Sequence, residues 1–119
     1  MWPLRLSAKQ RSGQLWERKA LAHLGRRGLV PVESNFRCRG GEIDLIMRDG
    51  ETLVFIEVRQ RAAATHGGAA ASIGAAKQRR LVRAAQTYLQ RFAAPPACRF
   101  DVVAVDGEQF DWLCGVIEG

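Results

Sequence analysis

The stretch GGEIDLIMRDGETLVFIEVRQR, residues 40–61, decides the fold of this 119-residue chain. Two apolar runs flank the pair Asp49-Gly50, which is typical of a two-residue β-hairpin turn. The stretch therefore predicts two antiparallel strands, at about 42–48 and 53–60, and the remaining elements are predicted outward from this hairpin.

Three carboxylates interrupt the apolar runs of the hairpin: Glu42, Asp44 and Glu57. Because side chains alternate along a strand, Glu42, Asp44, Ile46 and Arg48 are predicted to share one face. An isolated buried carboxylate is strongly unfavourable. Each acid should therefore have a compensating partner, which is solvent, an arginine or a divalent metal.

The elements outside the hairpin follow from apolar periodicity and from Gly, Pro and Ser at their ends. They are a helix over 12–27, an edge strand over 29–37, a Gly/Ala-rich loop over 60–72, a helix capped by Ser72 and running to about 92, a strand over 98–105, and a short element of undecided type over 110–117. Residues 1–11 are predicted to be a flexible basic arm and 12–119 a single domain. The fold class is α/β, a mixed central sheet flanked by helices in the order α-β-β-β-α-β.

Charge is distributed unevenly along the chain, whose net charge is +6. Residues 1–41 carry nine basic and two acidic side chains, and residues 62–100 carry six basic and no acidic ones. The acids gather in 42–57 and after residue 100. A basic body around an acidic strand pair suits a polyanion held near a cation site; a merely soluble basic protein remains the alternative.

Composition excludes several classes of protein. Hydrophobic residues make up 47% of the chain and charged residues 25%, values typical of a globular domain. No apolar run approaches a membrane span, and the first residues lack the apolar core of a secretory signal. Cys38, Cys98 and Cys114 are an odd number of widely spaced cysteines, which predicts free thiols. We therefore expect a cytoplasmic protein without a membrane partner.

Each predicted helix carries one charge within its apolar stripe. At 100° per residue, Glu17 falls inside the stripe of the first helix and Lys77 inside that of the second. Both helices thus direct a charge at the sheet. A structural salt-bridge network, such as Glu17 with Arg59 or with Lys77, is one explanation, and a functional site is the other.

The functional explanation is a metal-assisted hydrolysis. Asp44 and Glu57 on adjacent strands can chelate Mg²⁺ or Mn²⁺ through carboxylate oxygens, and Glu17 can extend the metal shell. A bound metal lowers the pKa of its water and offsets phosphate charge. Arg59 follows Glu57 on the same face, about 6–7 Å along the strand, where a cation can stabilise developing negative charge. Such a site hydrolyses phosphodiesters.

The arrangement resembles the PD-(D/E)XK nuclease superfamily, with Asp44, a hairpin, and Glu57-Val58-Arg59 in place of the (D/E)-x-K element. Glu17 matches the additional acid of the Holliday-junction-resolvase branch. Over about residues 12–106 the chain also resembles the uncharacterised bacterial YraN family, through SGQLWERKALAHL, SNFRCRGGEIDLIMRDGETLVFIEVRQR, KQRRLVRAAQTYL and RFDVVAV. The resemblance implies a restriction-endonuclease-like fold and a metal-dependent nuclease.

The chain departs from that pattern at one position. Arg59 stands where the superfamily has a lysine, and an arginine stays charged and cannot act as a base. It can still bind phosphate charge through two hydrogen bonds. Lys77 can substitute from the helix, because it faces the same way. The opposite outcome, in which the departure weakens or abolishes activity, leaves a non-catalytic nucleic-acid-binding module of the same fold.

Six arginines are predicted to contact the nucleic-acid backbone. They are Arg37, Arg39, Arg61, Arg79, Arg80 and Arg83. For the helical ones, an ordinary solvated helix face is the alternative. The predicted partner is DNA, branched or single-stranded, and a resolvase-like role would require a homodimer. An interaction protein with no nucleic-acid role is the third hypothesis.

Overall fold

A computed structural model describes residues 8–60, 73–106, 108–115 and 117, and within 8–14 the helical backbone alone. The elements in chain order are α1 (Ala8–Arg26), β1 (Val30–Cys38), β2 (Gly41–Asp49), β3 (Thr52–Gln60), α2 (Ala75–Leu89), β4 (Cys98–Asp106) and β5 (Gln109–Leu113). This is the predicted α/β class and order, with a fifth strand at the end. Neither helix is long and apolar enough to cross a membrane within the described part of the chain.

The five strands form one mixed sheet in the order β1-β2-β3-β4-β5. β3 and β4 run parallel, and every other neighbouring pair is antiparallel. A parallel pair needs a long crossover connection, and α2 lies within it. The predicted hairpin is confirmed: Asp49 pairs with Thr52, and Gly50 takes the positive φ of 62° that its turn requires.

Each face of the sheet carries its own hydrophobic core. The core under α2 includes Phe55, Leu81 and Tyr88, and the core under α1 includes Leu24 and Ile56. Both faces of the central strands are therefore buried, which explains why the sequence of β3 and β4 reads as continuous apolar runs rather than as an alternation.

Besides a register shift between Pro31 and Glu33, strands β1 and β2 change the faces of their side chains near Asn35. Ser34 pairs with Leu45, and both line a cleft beside α1, whereas Phe36 pairs with Ile43, and both pack in the core under α2. Regular alternation would put residues two apart on the same face. Asn35 lies between the two pairs and has a left-handed φ of 56°. The strict alternation predicted along the first hairpin strand is therefore wrong at Asp44.

Several element boundaries differ from the predictions. α1 begins at Ala8 rather than at 12, so its first turn lies in the segment predicted as a basic arm. The N-cap of α2 is Gly74, without a side-chain cap, rather than Ser72. The undecided element at 110–117 is in part a strand, β5. Residues 1–7 and the 61–72 part of the predicted loop, Ser72 included, lie outside the described residues. All three cysteines are free, as predicted.

Candidate active site

The site lies where β2 and β3 part. The described ladder between the two strands ends at the pair Leu45 and Ile56. Asp44 directly precedes Leu45 on β2, and its Oδ2 accepts a hydrogen bond from the backbone N–H of Val58 at 2.9 Å. The side chain thus takes the place of a ladder carbonyl and satisfies a donor that the separation of the strands would otherwise leave without one. The space between the strands is open to side chains from both helices.

Three carboxylates meet in this space. Asp44 is the central one, because it interacts both with Glu17 of α1 and with Glu57 of β3. Glu57 is buried, with 3% of its surface exposed, and Glu17 and Asp44 are half-buried. The structure therefore brings together Asp44 and Glu57 of the predicted hairpin and Glu17 of α1, and Asp44 interacts with both glutamates.

Burial and mutual repulsion change the acidity of all three groups. Burial, and then the charge of Asp44, raise the pKa of Glu17 to about 7 and that of Glu57 to about 8. Burial also raises the pKa of Asp44, although the Val58 N–H and the Lys77 charge oppose this rise. Because the groups titrate together, the two glutamic acids hold protons near neutral pH in the metal-free protein.

Two carboxylate oxygens have no partner within the described residues. Both the Oε1 of Glu17 and the Oε2 of Glu57 are buried without a hydrogen bond. A buried acceptor without a partner is unfavourable, and these two belong to the glutamates that interact with Asp44. Oxygen donors of this kind are those that Mg²⁺ and Mn²⁺ prefer.

The chemistry of the site suits a metal held by two acids rather than by three. Within the described residues, no group of three or more His, Cys, Asp or Glu side chains could hold a metal ion as it stands. Mg²⁺, however, is commonly held by one or two carboxylates and several waters. Asp44 and Glu57 therefore fit such an ion in donor type and number, and Glu17 as a third ligand stays a prediction.

Lys77 of α2 reaches the same space, as the helical periodicity predicted. Its Nζ lies 3.5 Å from Oε1 of Glu57 and 2.9 Å from Oε1 of Glu42. Burial lowers the pKa of Lys77, but its acidic neighbours, Glu42 foremost, outweigh burial and raise that pKa above its ordinary value. The lysine is therefore an ammonium ion here, which can contact a phosphate but cannot accept a proton. The acids paired with Lys77 are Glu42 and Glu57, whereas the structural salt-bridge hypothesis paired Lys77 with Glu17.

Arg59 is half-buried on β3, next to the site, and its charge lowers the pKa of Glu57. The predicted proximity of Arg59 and Glu57 is therefore present. Glu57 therefore interacts with two cations, Arg59 from its own strand and Lys77 from α2, and also with Asp44.

The predicted nucleic-acid contacts are spread over two sides of the molecule. Arg37, Arg39, Arg79, Arg80 and Arg83 are exposed, and Arg61 lies outside the described residues. Arg37 is close enough to Glu17 to lower its pKa. Arg80 binds Glu42, with 2.6 Å between its Nη2 and Oε2, so this arginine is already paired with an acid.

A cleft of about 210 Å³ opens on the α1 side of the site, and its wall includes Glu17, Arg18 and Asn35. The side chain of Asn35 faces the same cleft as Glu17 and lowers the pKa of that carboxyl. Sequence reasoning missed Asn35. Asparagine tolerates a left-handed backbone better than most other residues with side chains. The sequence does not show, however, that the backbone at position 35 has to be left-handed.

Sequence reasoning also missed a second buried acid, Asp101, whose surface is 0% exposed. Its carboxylate accepts hydrogen bonds from the side chains of Arg99 and Trp112 and from the backbone N–H of Gly115. Arg99 also pairs with Asp49. Both Asp101 oxygens have partners, so this network joins β4 to the chain after β5 and is a structural contact.

Comparison with known proteins gives the chain a family. The model of the uncharacterised protein family UPF0102 matches residues 16–105, a range that contains α1 from Trp16 and the whole site. The chain belongs to UPF0102. This is the YraN-like family that the sequence resembles, so that prediction is confirmed.

Several UPF0102 proteins are similar to this chain over most of its length. One from Herminiimonas arsenicoxydans is 56% identical, covering 94% of this chain and 90% of its own. One from Janthinobacterium sp. (strain Marseille) is 58% identical, with 94% and 91% covered. One from Cupriavidus pinatubonensis is 59% identical, with 95% and 90% covered. Their names state the family and no activity.

Proposed function

We propose that this UPF0102 protein is a divalent-metal-dependent nuclease that hydrolyses phosphodiester bonds of DNA. The supporting observation is the carboxylate cluster in which Asp44 contacts Glu17 and Glu57, with a buried unpartnered oxygen on each glutamate. A divalent cation at this point would give those oxygens a partner.

Each side chain of the site has a task in this proposal. Asp44 and Glu57 would hold Mg²⁺ or Mn²⁺, which when bound supplies Lewis-acid activation of water and neutralises phosphate charge. Glu17 would extend the metal shell from the α1 side of the site. Arg59 and Lys77 would contact the oxygens of the scissile phosphate, because both stay positively charged and neither can serve as a base.

The direct test is DNA cleavage by the purified protein with Mg²⁺ or Mn²⁺, on branched, single-stranded and duplex DNA. Asp44→Asn and Glu57→Gln keep the shape of each side chain and remove its charge. We expect each to reduce cleavage on the order of 10²-fold or more, the usual loss when a group that stabilises transition-state charge is removed. Cleavage that persists in both variants would rule out the site.

Arg59→Lys tests the departure from the superfamily pattern. If the guanidinium has weakened an otherwise complete site, a lysine at the same position should raise the cleavage rate. An unchanged rate would mean that position 59 does not limit the chemistry.

A non-catalytic nucleic-acid-binding module is the second candidate. It is favoured by the observation that no three acids of the described residues are arranged to hold a metal. In that case the net charge of +6 would still give salt-dependent DNA binding, without cleavage. It would also give no metal-dependent rise in melting temperature, whereas a ligand that binds the folded state must stabilise it.

The setting of the reaction is part of the proposal. The protein would act in the cytoplasm on structured DNA, with branched and single-stranded molecules as the first substrates to test. Cutting two strands of a junction symmetrically would require a two-fold homodimer. Light scattering of the protein with and without a four-way junction would detect it.

A further inference from the structure

Glu42 is the fourth acid near the site, and it belongs to none of the predicted catalytic or metal sets. Its Oε1 lies 2.9 Å from Nζ of Lys77, and its Oε2 lies 2.6 Å from Nη2 of Arg80. A second, longer hydrogen bond joins Nε of Arg80 to Oε1 at 3.4 Å. Two cations of α2 therefore hold one carboxylate of β2, and that carboxylate holds Lys77.

A close approach of the two backbones fixes this arrangement. Gly41 is buried at the start of β2, and a Cβ atom added to it would overlap the carbonyl oxygen of Arg80. Only glycine allows strand and helix to come this near. Lys77 lies three residues before Arg80, on the same side of the helix, so the contact at Gly41 brings both cations to the neighbouring Glu42.

The charge balance of the site gives Glu42 a specific task. Lys77 lies 3.5 Å from Glu57, one of the two carboxylates proposed to hold a divalent cation. Like charges at such distances repel each other, and Lys77 has a long, flexible side chain that is 28% exposed and can turn to solvent. Glu42 offers the ammonium group a carboxylate outside the proposed metal pair.

We propose that Glu42 is a positioning residue that keeps Lys77 at the site against repulsion by the bound cation, and that Arg80 holds Glu42 in place instead of contacting DNA. This inference rests on the proposed nuclease function. It also revises the prediction for Arg80, whose guanidinium faces an acid where a phosphate was expected. Arg79 and Arg83 remain the predicted phosphate contacts on α2.

The first experiment needs no activity. The chain has three lysines, Lys9, Lys19 and Lys77, so acylation of the metal-free protein followed by mass spectrometry reports Lys77 separately, with Lys19 as the internal reference. We expect Glu42→Gln to raise the relative acylation rate of Lys77 severalfold, because the amine loses its 2.9 Å contact with Glu42 and turns to solvent more often. Glu42→Asp, which keeps the charge, should restore part of the protection. Equal rates in Glu42→Gln and wild type would overturn the proposal.

The second experiment separates positioning from DNA binding. With DNA and Mn²⁺, Glu42→Gln and Arg80→Gln should lower kcat and leave KM nearly unchanged, because Lys77 is lost from the reacting phosphate. Arg79→Gln, the matched control on the same helix, should raise KM alone. A rise in KM alone for Arg80→Gln would mean that Arg80 contacts the DNA phosphates, and would refute the proposal that Arg80 holds Glu42 in place. Absence of cleavage by the wild type would instead refute the nuclease, whatever the acylation rates.

Discussion

At the scale of single residues, Asp44 carries both a structural and a chemical demand. It accepts the Val58 N–H at the point where the β2–β3 ladder ends, and it contacts both glutamates of the site. The first demand explains why an acid is tolerated in a strand whose neighbours are fully buried. The second explains why its partners cannot all be ionised together near neutral pH.

Asp44→Ala and Asp44→Asn separate these two demands. Both variants remove the charge, but asparagine keeps an oxygen that can accept the Val58 N–H. We expect Asp44→Ala to be less stable than Asp44→Asn by about 1–3 kcal/mol, the usual cost of a buried donor left without an acceptor. Urea unfolding of the two variants measures the difference. Equal stabilities would mean that the Val58 contact contributes nothing.

The pH dependence of stability follows from the raised pKa values of the two glutamates. The folded protein holds protons on Glu17 up to about pH 7 and on Glu57 up to about pH 8, whereas the unfolded chain releases them near the ordinary value of 4.5. The stabilisation is therefore complete below pH 4.5 and is lost as the pH rises through 7 to 8.

We accordingly expect the melting temperature of the metal-free protein to fall between pH 5 and pH 8. Glu57→Gln, which cannot ionise, should flatten this fall, whereas Glu51→Gln on the exposed hairpin turn should leave it unchanged. Calorimetry across this pH range provides the measurement. A melting temperature that rises over the same interval would contradict the assigned protonation.

Residue patterns predicted much of the site, but they could not show which buried acids have hydrogen-bond partners. Glu17, Asp44, Glu57 and Lys77 were predicted because each interrupts an apolar face, and the structure brings them together. Asp101 shows the same apolar flanks, yet Arg99, Trp112 and the backbone N–H of Gly115 satisfy its carboxylate. Whether a buried acid is satisfied is decided by tertiary contacts, which a sequence pattern does not contain.

At the scale of elements, the β1–β2 pair changes face at Asn35, and this change orients the site. With Ser34 facing α1 and Phe36 packing under α2, Asn35 can reach the Glu17 carboxylate from an edge strand. The hairpin itself was predictable from Asp49-Gly50 and from strand periodicity. The change of face was not, because period-two reasoning assumes the regular backbone that Asn35 breaks.

Substitutions at Asn35 test that backbone conformation. Left-handed φ costs a residue with a Cβ atom roughly 1–2 kcal/mol relative to glycine. We therefore expect Asn35→Gly to be more stable than Asn35→Ala by about 1 kcal/mol, although neither can bond Glu17. The same pair of substitutions at Ser34, which has no positive φ, should favour alanine. Thermal unfolding that ranks the Asn35 variants in the opposite order would contradict the assigned conformation.

At the scale of the whole molecule, α1 and α2 cover opposite faces of one sheet, and the site forms where side chains from both faces meet. Glu17 reaches it from α1 and Lys77 from α2, while Asp44 and Glu57 provide the centre. Helical periodicity was sufficient to predict that both helices direct a charge inward. It did not predict the pairing of Glu42 with Arg80, because that contact depends on the close approach at Gly41.

If the meeting point of the two faces holds a divalent cation, titration of the protein with Mn²⁺ by isothermal calorimetry, at a pH above 8, will detect it. We expect saturable binding by the wild type, strong weakening in Asp44→Asn and Glu57→Gln, and retained binding in Glu42→Gln, whose acid lies outside the proposed metal pair. Absence of saturable binding by the wild type, or equal binding by all four proteins, would contradict the proposed metal site.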